Sequence, residues 1–215
     1  MKSGEIQIPA LYRKRSDRCY VACKLRSDPL YQAITPLLRD SPHPLLDVGC
    51  GLGLLSFHLR NEGVRVPIHA VDYDPRKIDE ARMASLRARV TGLRFSTNDA
   101  REGLPEHHGN VTILDILQFF TPEEQQRLLR DAAARVAPGG LLIVRSGLRD
   151  RSARFAVTIA GDLLARATWW MKAAPVHYPC AADFRRILSP SGEVSIDPLW
   201  GATPFNNHLI VLRKP

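Results

Sequence analysis

A short acidic and glycine-rich motif contains the residues of this sequence that are best suited to chemistry. The apolar run Leu45–Val48 includes Asp47, glycines follow at positions 49, 51 and 53, and a helical pattern starts at Leu54. Glycine has no Cβ and adopts positive φ without strain, so such a turn lets the backbone approach a ligand closely. The helix behind it offers N–H groups to an anionic group. The spacing predicts a strand, a ligand-binding turn and a helix.

Two kinds of nucleotide-binding motif compete for this turn. A dinucleotide-binding turn has the pattern G-x-G-x-x-G, and its third glycine would fall on Leu54. The observed pattern, D-x-G-x-G-x-G, instead resembles motif I of the class I S-adenosylmethionine (SAM) dependent methyltransferases. This resemblance implies SAM as the cofactor and S-adenosylhomocysteine (SAH) as the product. The cofactor-binding turn would comprise Asp47, Gly49, Cys50, Gly51 and Gly53, with Cys50 as a small space-filling residue.

Acidic residues also occur at the ends of the predicted strands. Asp47, Asp72 and Asp99 end or follow strands one to three, and Asp115 is predicted inside strand four. In an open parallel sheet, ligands bind beyond the carboxyl ends of the strands. Asp115 matches no family role: it either faces the cofactor amine or the substrate, or is a buried, hydrogen-bonded acid without a chemical role.

The resemblance gives the other acids separate roles around SAM. Asp72, with Tyr73 beside it, would accept hydrogen bonds from the ribose hydroxyls. Asp99 would accept from adenine N6, with Ala100 packing nearby. Asp47 would lie close to the ammonium group or orient the turn. All of these residues are therefore predicted to belong to the cofactor site.

Methyl transfer requires mainly alignment of the nucleophile and exclusion of water, which together supply roughly 7–11 kcal/mol. A base is needed only where the nucleophile must lose a proton. The candidates are His177, Tyr178, Gln118 and Asp150. Gln118 follows strand four beside two phenylalanines, and His177 and Tyr178 lie in the segment expected to border the substrate. A surface or capping role is the alternative for His177.

No metal is expected. His107 and His108 are adjacent, so their side chains point apart, and no second ligand group has a supporting spacing. Metal-dependent phenol methyltransferases carry an acid or asparagine after strand five, where this chain has Arg145-Ser146-Gly147. The pair Cys19 and Cys23 lacks the third thiolate of an iron–sulfur cluster.

Strand and helix patterns alternate after residue 44, which is typical of an α/β protein with a parallel sheet. Strands are predicted at residues 45–48, 66–72, 93–97, 111–117 and 141–145, followed by two antiparallel strands at 193–197 and 208–213. Thr121-Pro122-Glu123-Glu124 predicts a helix start with a capping box. Residues 10–39 look helical, with breaks at Asp28-Pro29 and Thr35-Pro36.

The resemblance completes the fold prediction. It implies a three-layer, Rossmann-like sheet, mostly parallel with an antiparallel C-terminal strand, in the order 3-2-1-4-5-7-6. Residues 1–40 would form an N-terminal helical cap, and residues 41–215 the SAM-binding methyltransferase domain. A helical lid insert is predicted at about 149–188, after strand five, with Trp169, Trp170 and Met171 at its aromatic end.

Composition restricts the class of protein and its partners. The chain has 215 residues, of which 45% are hydrophobic, enough for one full core. No apolar run is long enough to span a membrane, no secretion signal is evident, and four scattered cysteines suit the reducing cytoplasm. The net charge of +8 favours an acidic partner, an acidic substrate or nucleic acid. Basic clusters at 13–26 and 145–154 support this, although a solvated surface is the alternative.

The sequence predicts a SAM-dependent methyltransferase of bacterial secondary metabolism. Its acceptor would be a small aromatic or polyketide-like compound, free or tethered to an acidic carrier protein. An RNA or rRNA methyltransferase is one alternative, although Asp115-Ile116-Leu117-Gln118 stands where base methylators carry N-P-P-Y or D-P-P-Y. A non-catalytic SAM-binding scaffold subunit is the other.

Overall fold

The computed structural model describes residues 6–167 and 175–215. The predicted aromatic end of the insert, Trp169 to Met171, lies outside the described residues. The chain divides into two compact units, Met1–Ala100 and Arg101–Pro215.

The first unit begins with a 3-10 turn and two helices and continues with alternating strands and helices. Its elements are the turn Ile8–Leu11, α1 (Arg15–Ser27), α2 (Leu30–Leu38), β1 (Leu45–Val48), α3 (Leu54–Asn61), β2 (Ile68–Asp72), α4 (Pro75–Ala88) and β3 (Leu93–Thr97). All four residues of β1 are buried, as expected for a parallel strand that is covered on both faces.

The second unit contains the remaining strands. Its elements are β4 (Asn110–Leu114), a 3-10 turn at Leu117–Phe119, α5 (Pro122–Arg135), β5 (Leu141–Gly147), α6 (Ala153–Ala167), α7 (Ala181–Leu188), a second turn at Ser189–Ser191, β6 (Glu193–Pro198) and β7 (Asn207–Arg213). Among the described residues, no helix has both the length and the apolarity needed to cross a membrane.

The seven strands follow the order β3-β2-β1-β4-β5-β7-β6. The pairs β1–β2, β2–β3 and β4–β5 are parallel, whereas β7 is antiparallel to both β5 and β6. This is the predicted order with the predicted antiparallel C-terminal strand, so the predicted fold class is confirmed. Parallel pairing of β1, β2 and β3 also brings the carboxyl ends of these three strands to one edge.

Local chemistry explains where several helices begin. Thr121 and Glu124 form the predicted capping box at the start of α5, with Thr121 N donating to Glu124 Oε2 at 2.8 Å. Asp74 caps α4 by accepting from Arg76 N at 3.1 Å.

The predicted break at Thr35-Pro36 is wrong, because α2 runs through Pro36. Pro36 removes one backbone hydrogen bond, but α2 buries an apolar face that outweighs this cost.

Two predicted strand boundaries also need correction. Strand two was predicted from Val66 but starts at Ile68, because Pro67 has no N–H and the carbonyl of Val66 accepts from Arg60 Nη2 at 2.9 Å. Strand four was predicted to reach Leu117 but ends at Leu114, because Asp115 has a φ of +60° and turns the chain out of the ladder.

Arg60 is a buried cation that joins several segments of the first unit. Its residue is only 5% exposed, and its guanidinium donates to the carbonyls of Val64, Val66, Thr91 and Gly92 at 2.8–3.3 Å. Burial lowers the pKa of Arg60, assisted by the charge of Arg65. The side chain thus satisfies backbone carbonyls before β2 and β3, and so fixes where both strands start.

Candidate functional site

The turn after β1 has the backbone conformation that its glycines predict. Gly49, Gly51 and Gly53 have φ values of +79°, +55° and +80°. Gly49 N and Cys50 N both donate to Val71 O, at 2.8 and 2.9 Å, and Gly53 N donates to Cys50 O at 2.9 Å. Backbone hydrogen bonds within the turn and to β2 therefore hold the glycine turn in this conformation.

Asp72 anchors this turn. It is the last residue of β2 and is 5% exposed. Its Oδ2 accepts from Gly51 N and its Oδ1 accepts from Asp74 N, both at 2.9 Å. One carboxylate thus fixes the glycine turn and the approach to α4 together. Each carboxylate oxygen keeps a second lone-pair direction, so the group can still accept a hydrogen bond from a ligand hydroxyl.

Space beside the turn is distributed unequally. A Cβ at Gly51 would meet no atom of the described residues within 4 Å, whereas a Cβ at Gly53 would lie 2.7 Å from Phe95 Cε1. Gly53 therefore packs against the unit's own core, and Gly51 faces open space. The open space at Gly51, next to a buried carboxylate, fits a ligand that approaches the backbone.

Cys50 is a neutral thiol in this environment. Burial raises its pKa well above the ordinary value, and the negative charges of Asp47 and Asp72 raise it further. Asp47 itself is buried in β1 at 2% exposure. A thiolate is the nucleophilic form of cysteine, so these effects argue against a nucleophilic role for Cys50.

The segment after β3 lies beside Asp72. Thr97 pairs with Asp72 in the β2–β3 register, and Asn98 N donates to Asp72 O at 3.1 Å. Asp99 and Ala100 follow directly and are both partly exposed. The structure therefore brings Asp99 and Asp72 to neighbouring strand ends, as predicted. Tyr73 is 48% exposed.

Asp115 belongs to the second unit, and its predicted position inside strand four is wrong. It lies just after β4, and not inside the strand, with a φ of +60° that is uncommon for a residue with a side chain. Arg145 Nε donates to Asp115 Oδ1 at 2.6 Å, and Arg145 Nη2 donates to Asp115 Oδ2. Asp115 N in turn donates to Arg145 O at 3.1 Å.

Arg145 is only 3% exposed and lies in the middle of β5. The sequence suggested that Arg145 belongs to a basic surface cluster, and its burial shows that this was wrong. A bidentate guanidinium–carboxylate pair is strong because both hydrogen bonds are charge-assisted and parallel. The pair also holds Asp115 in its unusual backbone conformation.

Three of the four candidates for a base, Gln118, His177 and Tyr178, lie in one region of the second unit. Gln118 O accepts from Val176 N at 2.7 Å and from His177 N at 3.2 Å. Gln118 Nε2 donates to Asp115 O at 3.1 Å, while its Oε1 is buried and finds no partner among the described residues. The ring of Tyr178 meets Phe155 edge-on, with the centroids 5.3 Å apart.

Gln125 joins the same two segments and was missed by the sequence reasoning. Its Nε2 donates to the carbonyls of Leu117, Phe120 and His177 at 2.9–3.1 Å. Gln125 lies on the buried face of α5 and is 4% exposed. The only signal in the sequence is a polar residue within an apolar helical stripe.

Asp150 is a poor candidate for a general base. It accepts from Ser152 N and from Asn206 Nδ2, both at 2.8 Å. Desolvation raises its pKa, but the hydrogen bonds from Ser152 and Asn206 outweigh this effect, so the pKa of Asp150 lies below the ordinary value. Its carboxylate supports the loop before α6.

A search of residues 6–167 and 175–215 finds no group of three or more His, Cys, Asp or Glu side chains that could hold a metal ion. One of the two adjacent histidines contacts the backbone of β4. His107 Nε2 lies 2.9 Å from the carbonyl oxygen of Asn110, at the start of β4.

Comparisons with known proteins agree with this geometry. Residues 45–140 match the methyltransferase domain family. The chain is 25% identical over 174 residues to a trans-aconitate 2-methyltransferase of Rhodococcus jostii, covering 78% of this chain and 64% of that protein. It is 31% identical over 163 residues to a ubiquinone biosynthesis O-methyltransferase of Methylocella silvestris, covering 72% of this chain and 58% of that protein. The chain thus spans about three fifths of the length of these two curated relatives.

A solved structure supports the fold independently. Magnesium protoporphyrin IX methyltransferase from Synechocystis, determined with bound SAH, superposes with a TM-score of 0.65 at 16% identity, over 94% of this chain and 89% of that one. The chain therefore has the class I, Rossmann-like fold of the SAM-dependent methyltransferases, and residues 45–140 match a methyltransferase domain. The predicted family resemblance is confirmed over residues 45–140, and SAM follows as the cofactor of that matched region.

Proposed function

We propose that this protein transfers a methyl group from SAM to a small aromatic or polyketide-like acceptor, either free or tethered to an acidic carrier protein. The observation that carries the proposal is the glycine turn. It lies in the matched methyltransferase domain, is anchored by Asp72 and leaves open space at Gly51. Bound SAM supplies a methyl group activated by a sulfonium cation.

The first unit would hold the cofactor. Asp72 would accept from the ribose hydroxyls through the lone pairs left free by Gly51 N and Asp74 N. Asp99 would accept from the adenine amine, and Asp47 would stabilise the ammonium group or the turn. The negative charges of Asp47 and Asp72 both raise the pKa of Cys50, which lies in the turn. This supports a negative electrostatic environment that would suit a cationic ligand.

The second unit would hold the acceptor. Gln118, His177 and Tyr178 are the side chains proposed to line it, because the backbone of His177 donates to Gln118 O and Tyr178 follows directly, with its ring against Phe155. Asp115 would also help to hold the acceptor, through the ion pair that it forms with Arg145. That ion pair neutralises the charge of the Asp115 carboxylate.

Two observations support the class of acceptor. The relatives described above are named for a small carboxylic acid and for ubiquinone biosynthesis. The exposed residues of α1 and the preceding loop are strongly basic, which would suit an anionic carrier domain. These basic residues are Arg13, Lys14, Arg15, Arg18 and Arg26.

Calorimetric titration with SAH tests the cofactor half of the proposal. Asp99→Ala should weaken binding about tenfold, since a hydrogen bond to a charged group contributes roughly 1.5–3 kcal/mol. Asp79→Ala is the matched control, because Asp79 is an acid of the same unit whose side chain is 70% exposed and paired only with Arg82 among the described contacts. Wild-type protein that takes up no SAH would end the proposal.

Transfer of a labelled methyl group to a panel of acceptors tests the substrate half. The panel contains aromatic hydroxy acids, the same acids linked to an acyl carrier protein, and total RNA. Small or carrier-linked acceptors should become labelled. Labelling of RNA alone, with affinity that falls steeply between 50 and 200 mM salt, would instead identify a nucleic-acid methyltransferase.

A further inference from the structure

The N-terminal residues before α1 pack against the first unit. Ile6 and Asn61, at the end of α3, exchange two hydrogen bonds of 2.9 Å, from Ile6 N to Asn61 Oδ1 and from Asn61 Nδ2 to Ile6 O. Arg87 Nη1, near the end of α4, donates to Leu11 O. Ile8 and Leu11 are buried. Residues 6–12, called here the N-terminal strap, are thus fixed to two helices of the unit.

Tyr12 connects the strap to the glycine turn. Its residue is 2% exposed, and its hydroxyl donates to Leu52 O at 2.7 Å, across 40 positions of sequence. Leu52 lies between Gly51, which faces open space, and Gly53, which packs against Phe95. Burial raises the pKa of Tyr12, and the neighbouring Tyr31 and Cys50 raise it further, so the phenol stays protonated. The hydroxyl is a donor throughout the working pH range.

A bond at this carbonyl has a specific physical effect. Leu52 is flanked by Gly51 and Gly53, and glycine loses more conformational freedom on ordering than any other residue. Fixing the carbonyl oxygen of Leu52 removes part of that freedom before a ligand arrives. A preorganised turn binds its ligand more tightly, because less ordering remains to be done on binding.

We propose that Tyr12 is a positioning residue that couples the N-terminal strap to the cofactor-binding turn. Docking of the strap orders the turn, and a cofactor bound in the turn stabilises docking of the strap. The second effect follows from the first, because coupling between two binding equilibria is reciprocal. This inference deepens the proposed function. Its statement about the cofactor rests on that function, whereas its statement about ordering of the turn does not.

Amide hydrogen exchange, followed by mass spectrometry on peptides of the turn and of the strap, tests the coupling. Tyr12→Phe keeps the ring in its buried position and removes only the hydrogen bond to Leu52 O. Asn61→Ala is the matched control, because it loosens the strap at Ile6 and leaves the bond to the turn intact. Thermal melts verify that both variants are folded.

Tyr12→Phe should accelerate exchange in residues 49–54 about fivefold in the ligand-free protein, which is the fold-change expected for one lost hydrogen bond. It should weaken SAH binding by a similar factor. SAH should protect the strap from exchange in the wild type and in Asn61→Ala, but not in Tyr12→Phe. Equal turn exchange in Tyr12→Phe and wild type, or SAH protection of the strap that survives in Tyr12→Phe, would overturn the proposal.

The ligand-free measurement separates this inference from the proposed function. A wild-type chain that binds no SAH would contradict the methyltransferase proposal. Even then, the rates of amide hydrogen exchange in the turn of Tyr12→Phe and Asn61→Ala, measured without ligand, would decide whether Tyr12 orders the turn.

Discussion

Gly51→Ala is the sharpest test of whether the open space beside the turn is ligand space. The substitution adds one methyl group at a residue with a φ of +55°, where the methyl would meet no described atom within 4 Å. It therefore changes the backbone energy and the space next to the turn, and disturbs no packing. If SAM occupies that space, the methyl group and the ligand exclude each other.

The backbone cost can be separated with a second glycine. Gly63, after α3, has a φ of +86° and also has no described atom within 4 Å of an added Cβ. A left-handed conformation costs a residue with a Cβ roughly 1–2 kcal/mol, so Gly63→Ala and Gly51→Ala should lose similar stability. For a chain of this size that corresponds to a fall in Tm of about 2–8 °C. Any additional effect of Gly51→Ala belongs to the ligand.

Calorimetric titration with SAH, with a thermal melt of each variant, measures both effects. Gly51→Ala should weaken SAH binding at least tenfold, about 1.4 kcal/mol, whereas Gly63→Ala should bind as the wild type does. Gly53→Ala completes the series: it should destabilise the fold more than either, because its Cβ would lie 2.7 Å from Phe95 Cε1. Unchanged SAH affinity in Gly51→Ala would refute the assignment of this space to the cofactor.

Three further predictions concern an arginine, a histidine and the cysteines of the first unit. Arg60→Met should lower the unfolding free energy in urea by more than about 3 kcal/mol, because it strands several buried carbonyls, and a loss below about 1 kcal/mol would contradict this reading. Burial lowers the pKa of His58 below 6.5, so the unfolded chain binds more protons and stability should fall as the pH drops from 6.5 toward the folded pKa. His58→Gln should remove that part of the pH dependence, measured as urea unfolding at pH 7.5 and 5.5, and an unchanged slope would count against it. The exposed thiols of Cys19 and Cys23 should react with a thiol reagent at least about tenfold faster than Cys50, and equal rates in the folded protein would argue against a neutral thiol in the turn.

The sequence predicted those parts of the fold that depend on local pattern. Apolar runs located the strands of the sheet, and the Thr121–Glu124 pattern gave the start of α5, because period and capping are properties of neighbouring residues. The glycine spacing similarly predicted a turn with positive φ. The strand order came from the family resemblance, since pairing between distant strands leaves no local signal.

Partners far apart in sequence were the part that could not be predicted. Asp115 looked like a strand residue because aliphatic residues surround it, and its ion-pair partner, Arg145, lies 30 positions away. The bond from Tyr12 to the turn spans 40 positions. Asp72 was predicted as a ligand-binding residue, but its anchoring of Gly51 N became visible only in three dimensions.

The Asp115–Arg145 pair has a consequence for any attempt to redesign this protein. Arg145 is buried at 3% exposure, so replacing Asp115 alone would leave a cation enclosed without its bidentate carboxylate. Replacing Arg145 alone would release a residue held in a left-handed backbone conformation at the end of β4. Redesign of this region should therefore exchange these two positions together, because removing one partner of a buried ion pair is strongly destabilising.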